Sequence, residues 1–411
     1  MLTIESARLE SEVERLATFS EAPAPVVTRV VFTEADLLAR EYVKSLARTT
    51  QLSIREDAAG NTFARWAGTD PSLPAVGTGS HIDAIPNAGR FDGTVGVMGG
   101  LEAIRALQAT GFHPRRSIEL VIFTAEEPTR FGIGCLGSRL LAGSLDASAG
   151  ERLRDKQGRT LNQVRAEAGF TGTLDSVRLA PGYYSAFIEL HIEQGPLLEK
   201  EGVPLGIVTA IAAPASLRVI IDGEGGHAGA VLMPDRHDAF LAAAEIALAA
   251  EAAAKNTGAI DTVATAGICD IFPGAVNSVP SSAMLMLDVR DIYGDRRDAV
   301  MRAIELATQE IAARRGVKIA IETINADQPA ICDPQVVATL AEAAEIRQLR
   351  SRKMVSRAYH DSLFMSRVAP TAMLFIPCRN GYSHRPDEFA SPEHIAQGAA
   401  TLAEVLRLLS L

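Results

Sequence analysis

Apolar and polar positions follow two different programmes along this chain. Residues 4–19 and 33–47 repeat apolar side chains at helical spacing, with Thr33 and Glu34 placed to start the second helix. A strand pair is expected over 52–66. A strand (73–83), a helix (95–110), a strand (117–124) and a short helix (136–142) then alternate, and SAFIELHIE at 185–193 reads as a further buried strand. Such alternation predicts an α/β layer, a mostly parallel sheet covered by helices.

After Pro204 the order changes to strand (206–222), helix (238–255), strands (261–269 and 282–291), helix (295–315) and strand (317–324). The segment FLAAAEIALAAEAAAK is a strong helix former and not a linker. From Asp327 the first programme resumes with a helix (334–347), a buried strand (371–376) and an amphipathic helix (392–409). A discontinuous domain of residues 1–205 and 327–411 is therefore expected, interrupted by an α+β insert over 206–326. No internal repeat is visible.

Composition narrows the function classes. A chain of 411 residues, 47% hydrophobic and 22% charged, has material for two globular domains. Its net charge is −10 and no Lys/Arg block stands out, which argues against nucleic acid as a partner. Cys135, Cys269, Cys332 and Cys378 form no CxxC pair, so neither a disulfide framework nor a thiolate zinc site is indicated, and a reducing cytoplasm fits. The first twenty residues carry acids where a signal peptide needs a basic flank, and no run of about 18 apolar residues occurs, so no membrane partner is expected.

The candidate chemistry begins at residues 79–100, GSHIDAIPNAGRFDGTVGVMGG. His81 and Asp83 fall at the end of a buried strand, and Asp92 follows in a glycine-rich loop. Imidazole suits zinc or manganese, and a loop carboxylate can offer its two oxygens to two ions. Asp83, two residues on along an extended segment, shares the face of His81 and can orient its ring. SIELVIFTAEEP ends in Glu126 and Glu127, where burying unpaired charge would be costly. One could bind metal while the other takes a proton. His191 and His384 each lie at or just past another predicted strand, and alone either would read as a core or turn residue. Together with His81, Asp92 and Glu127 they stand at the sheet edge where ligands bind in open α/β folds. Five such groups with one bridging carboxylate suit two divalent ions about 3.5–4 Å apart sharing a water, which makes Glu126 the general base.

HIDAIPNAGRFDG, TAEEPTRFGIGCLGSRLLAG, LHIEQGPLLE, GGHAGAVLMPDRHDA, PGAVNSVPS and GYSHRPDEF together resemble the amidase and carbamoylase branch of the M20-class dinuclear metallopeptidases. The resemblance spans nearly the whole chain. It implies a metallopeptidase-like catalytic domain with an inserted lid and dimerisation domain, a homodimer, and two Mn²⁺ or Zn²⁺ ions per protomer. The implied ligands are His81, Asp92 (bridging), Glu127, His191 and His384, with Glu126 activating water and Asp83 supporting His81. In the insert, His227 would stabilise the oxyanion, while Asn277 and Arg290 would hold a substrate carboxylate. Gln194 would contact a ureido group. The resemblance further implies that these insert residues can reach the site of the neighbouring protomer, which would make a dimer necessary for activity. Bland readings stand beside these: Arg290 sits on the polar face of a strand, where a surface salt bridge would explain it, and Asn277 could be a turn former. His360 and Asp361 fit a supporting or a purely structural role equally.

Within the branch, EEPTRFGIGCLGSRLLAGS, VTAIAAPASLRV, VSRAYHDSLFM and IPCRNGYSHRPDEF are similar to the ureidoglycolate amidohydrolases. Many carbamoylases carry motifs like GGISH and GAGHD where this chain has NGYSH and RAYHD. The larger Tyr382 would line the pocket and favour a small polar ureido acid. The expected reaction is hydrolysis of ureidoglycolate to glyoxylate, ammonia and carbon dioxide. The alternatives are N-carbamoyl-L-amino acids, N-carbamoyl-β-alanine or allantoate as substrate, and more remotely a dipeptidase or a non-catalytic binding relative.

Overall fold

The runs AVGTGSH, IELVIF and TAMLFI are buried at every position. Parallel strands covered on both faces carry such near-continuous apolar stretches, and these strands are parallel. In the computed structural model, which describes residues 2–411, the order across the sheet is Thr371–Ile376, Tyr184–Ile192, Ala75–His81, Ile118–Phe123, all running the same way. Antiparallel strands flank this centre. Thr62–Trp66 and Ser53–Glu56 extend it beyond Ile118–Phe123, and Leu205–Ile211 extends it beyond Thr371–Ile376. The mixed sheet thus keeps its parallel character where the candidate ligands lie.

Helix Thr94–Ala109 is buried on nearly every side, which its three internal glycines permit. A Cβ on Gly96 would lie 2.3 Å from the Leu190 carbonyl oxygen, so only glycine lets this helix settle on the central strand. Helix Pro392–Leu409 begins with Ser391 accepting from the His394 amide and packs beside Thr94–Ala109.

The chain folds as two units. The first comprises residues up to Thr209, Cys332–Ser356 and His360–Leu411; the second is Ala210–Ile331 with Arg357–Tyr359. The second is α+β. Its four antiparallel strands lie in the order Val263–Phe272, Ser282–Asp291, Ala213–Asp222, Lys318–Ala326. Strand Ser282–Asp291 alternates buried and half-buried positions and turns Leu285, Leu287 and Val289 toward helices Ala239–Asn256 and Gly294–Arg315.

One expectation is corrected. The run 206–222 is not one strand: Leu205–Ile211 belongs to the parallel-centred sheet, and Ala213–Asp222 is an inner strand of the second unit's sheet. The run is apolar on both sides of Ala212, so periodicity shows no break there; Pro214, two residues on, is the one local signal. Short elements were likewise invisible, among them Val27–Arg29 paired with Ala84–Ala88 and the helix Asp361–Met365. Among the described residues no helix is long and apolar enough to cross a membrane.

Candidate metal centre

Because the four central strands are parallel, their C-terminal ends share one edge. His81 ends its strand, His191 is one residue from the end of its own, Glu126 and Glu127 follow Phe123, and His384 follows Ile376. The loop bearing Asp92 closes over them. It can do so because Gly93 (φ +66°) has no Cβ; one there would lie 2.4 Å from the His81 ring.

Asp92 is the hub. Its Oδ1 lies 3.5 Å from His81 Nε2 and 3.2 Å from His191 Nε2, while Oδ2 lies 3.5 Å from His384 Nε2. His384 Nε2 is also 3.1 Å from Glu127 Oε1. Two trios result, His81–Asp92–His191 and Asp92–Glu127–His384, each with its donor atoms within 4.8 Å of one another. The far nitrogens of two rings are engaged: His81 Nδ1 donates to the Asp83 carbonyl at 3.0 Å and His191 Nδ1 to the Ile192 carbonyl at 2.9 Å. With Nδ1 so engaged, Nε2 is the nitrogen turned toward Asp92, and its lone pair, once free of a proton, is the one a ligating imidazole would offer.

The electrostatics fit a cation. Burial pushes the His81 imidazole down, but the charge of Glu126 and a hydrogen bond to Asp92 win and hold it well above the ordinary range. His191 is raised against the same burial by Asp92. His384, hydrogen-bonded to Glu127, is lifted to about 9. Burial would raise Asp92, yet hydrogen bonds from His191 and His81 keep its carboxyl well below the usual range. In the protein alone, the acids favour protons on these imidazoles. Divalent ions would take their place, and an imidazole and carboxylate donor set suits Zn²⁺ or Mn²⁺.

Glu126 stands apart from both trios. It is buried, with Oε2 3.6 Å from His81 Nε2. Burial and the charges of Glu127, Asp361 and Asp92 push its carboxyl well up, against the pull of His81. A carboxylate so placed is ready to accept a proton. Asp83 faces His81 and has a further set of partners. Its backbone carbonyl lies 3.0 Å from His81 Nδ1 and its Oδ1 3.7 Å from the same nitrogen, while the carboxylate also accepts the amides of Glu126 (3.3 Å) and Glu127 (3.1 Å). The side chain thus fixes the turn that aims both glutamates.

Gln194, in a left-handed conformation (φ 55°), donates Nε2 to Asp92 Oδ2 at 2.6 Å, and its Oε1 is buried without a hydrogen-bond partner. Tyr382 is half-buried beneath Arg385, whose guanidinium carbon is 3.9 Å from the ring centroid. In the second unit His227 is exposed in a two-residue strand paired with Ser278–Val279, and the Ala228 amide donates to the Asn277 carbonyl at 2.9 Å. Arg290 is ion-paired with Asp288 at 2.6 Å, the contact its place on a polar strand face suggested.

Three supports escaped sequence reading. Ser383 Oγ lies within hydrogen-bond reach of Asp92 Oδ2 and 3.1 Å from Glu388 Oε2, with one proton to give to either; Glu388 also accepts the amides of Phe91 (2.7 Å) and Asp92 (3.1 Å). Glu189 accepts the Ser80 hydroxyl (2.7 Å) and the Ser362 amide (3.1 Å) behind His191, against which the His360 ring packs at 4.5 Å. Ser383 and Glu388 lie inside GYSHRPDEF, beside a candidate ligand, and that adjacency was the one available signal. Removing the Glu388 carboxylate would leave two buried amides unpaired and free the Asp92 loop. Glu388→Ala is expected to weaken Mn²⁺ or Zn²⁺ binding by about 10–100-fold, read by calorimetric titration of the metal-free chain; unchanged affinity would remove Glu388 from this role.

The profile of peptidase family M20/M25/M40 matches residues 77–408. The chain belongs to that family. A ureidoglycolate hydrolase of Arabidopsis thaliana is 51% identical, the match covering 100% of this chain and 88% of the relative. The crystal structure of AtUAH in complex with glyoxylate superposes with a TM-score of 0.90 at 51% identity, covering 100% of this chain and 98% of that one. An N-carbamoyl-L-amino acid amidohydrolase of Geobacillus stearothermophilus is 37% identical, with 97% of each chain covered.

Proposed function

We propose that this chain is a metal-dependent amidohydrolase that converts ureidoglycolate to glyoxylate, ammonia and carbon dioxide. The observation that carries the reaction class is Asp92, whose two oxygens face two separate donor groups beside a buried, unligated Glu126. The choice of substrate is supported by 51% identity to a ureidoglycolate hydrolase against 37% to a carbamoylase, both over essentially the full chain.

His81, Asp92 and His191 would hold one divalent ion and Asp92, Glu127 and His384 a second, Mn²⁺ or Zn²⁺. When bound, such ions polarise the ureido carbonyl and lower the pKa of the attacking water. Glu126 takes the proton released in the attack, which its raised carboxyl favours, and returns it to the leaving nitrogen. Gln194 Oε1, buried and unpartnered, accepts a hydrogen bond from the ureido nitrogen and so fixes the carbonyl's orientation. Tyr382 limits the substrate to a short acid. From the second unit, His227 is assigned the developing oxyanion and Asn277 and Arg290 the substrate carboxylate, for which Arg290 exchanges its Asp288 partner.

The test is a panel of ureidoglycolate, allantoate, N-carbamoyl-β-alanine and N-carbamoyl-L-amino acids offered to the Mn²⁺-loaded protein, following ammonia and glyoxylate. Glyoxylate from ureidoglycolate at the highest kcat/KM supports the reading. Preference for an N-carbamoyl amino acid would keep the machinery and overturn the substrate and the role of Tyr382.

The same reading includes a homodimer built by the second unit, in a reducing compartment such as the cytoplasm, where four free cysteines persist. Strand Val263–Phe272 is an edge strand, exposed along nearly its whole length, with Ile268 and Phe272 51% and 65% exposed. A long apolar edge invites pairing, and antiparallel pairing of identical edges obeys a two-fold axis. Sedimentation is expected to give twice the 43.6 kDa chain mass, and Ile268→Lys is expected to shift it toward the monomer; a parent chain already monomeric at micromolar concentration would remove the dimer.

A further inference from the structure

We infer that Cys135 is a positioning residue for Glu126, its thiol donating a hydrogen bond that fixes which carboxylate oxygen faces the metal ligands. The inference rests on the reading of Glu126 as the proton acceptor and extends it to a residue outside the ligand set.

The contact is built by the backbone. The loop between Glu126 and Cys135 is closed at its base by three hydrogen bonds: Cys135 N–H to the Glu126 carbonyl (2.7 Å), Leu136 N–H to the Ala125 carbonyl (2.9 Å) and Gly137 N–H to the Thr124 carbonyl (2.8 Å). Two residues in this ladder, Ala125 (φ 53°) and Cys135 (φ 55°), hold the left-handed conformation that non-glycine residues rarely adopt. Such strain persists only where the surroundings over-determine it, and it gathers at functional sites. Here it turns the Cys135 side chain back toward Glu126, with Sγ 3.4 Å from Oε1. The other oxygen, Oε2, is the one 3.6 Å from His81 Nε2.

The thiol is suited to donate. Cys135 is fully buried, and burial together with the charges of Glu126 and Asp361 keeps it protonated. A carboxyl side chain with one oxygen held from behind cannot rotate freely, so Oε2 stays aimed at the ligands for the proton transfer. A serine hydroxyl would donate from nearly the same place; an alanine would not.

The experiment compares Cys135→Ala and Cys135→Ser in the metal-loaded enzyme. The alanine variant is expected to lose roughly tenfold in kcat, the scale of one hydrogen bond to a charged group, with KM and metal content unchanged. The serine variant is expected to recover most of that loss. Full kcat in Cys135→Ala, or a serine variant as slow as alanine, would overturn the inference. The S–H stretching band of Cys135, isolated by subtracting the Cys135→Ser spectrum, gives a readout independent of turnover. It is expected at lower frequency than a free thiol, and a free-thiol frequency would overturn the contact. Should Glu126→Gln retain turnover, the base reading fails instead, which the band does not decide.

Discussion

Glu126→Gln is expected to lower kcat by about 10²–10⁴-fold, the usual contribution of a positioned acid–base group, while metal content and Tm stay close to the parent chain. The reason lies in what Glu126 touches. Its side chain sits outside both trios of donor atoms, so glutamine should not displace a ligand. The amide keeps the shape and can still accept from Cys135, but it cannot take up a proton. Burial and three neighbouring carboxylates hold the Glu126 carboxyl well above its ordinary range, so removing this buried acid relieves repulsion and should not destabilise the fold. Single-turnover kinetics on ureidoglycolate, with metal analysis of the same sample, make the comparison. An active glutamine variant would move the proton-transfer role elsewhere, and a variant that loses metal would make Glu126 a ligand.

The same neighbourhood shows why some of the site was legible in the sequence and some was not. His81, Glu127, His191 and His384 could be placed because each lies at or just past an apolar run, and parallel strands bring such ends to one edge. Asp92 could be placed because a glycine-rich loop precedes a helix. Its role as hub depends on the loop's closure over His81, which only coordinates reveal. Ser383 and Glu388 were missed because a serine and a glutamate in a polar loop carry no periodic signal; their work is defined by contacts with a loop nearly 300 positions away in the chain. Asp83 was assigned from strand alternation, which assumes extended backbone. The chain has already left its strand at Ile82, so the carboxylate, 3.7 Å from His81 Nδ1, also reaches the Glu126 and Glu127 amides, which alternation does not show. In the fold, the long elements were visible through periodicity, whereas the break at Ala212 lies inside continuous apolar sequence and depends on which core each half joins.

Asp92→Ala is expected to abolish turnover, by at least about 10⁴-fold, because several kcal/mol of transition-state stabilisation depend on the metal pair. The two oxygens of Asp92 serve different partners, His81 and His191 through Oδ1 and His384 through Oδ2, so one substitution strikes both trios. His384→Ala should behave differently. It removes a donor from one trio only, and the His81–Asp92–His191 trio stays complete. Metal analysis after desalting is expected to give about two ions per chain in the parent, about one in His384→Ala and fewer than one in Asp92→Ala. Exposure sets a further order. The His384 side chain is 47% exposed, whereas those of His81 and His191 are 2% and 0% exposed, so a chelator reaches the His384 side first. Activity under chelation should therefore fall with the first ion lost, before the buried one leaves. A single-phase release of both ions, or equal stoichiometry in the two variants, would mean that Asp92 does not divide its oxygens between two metals.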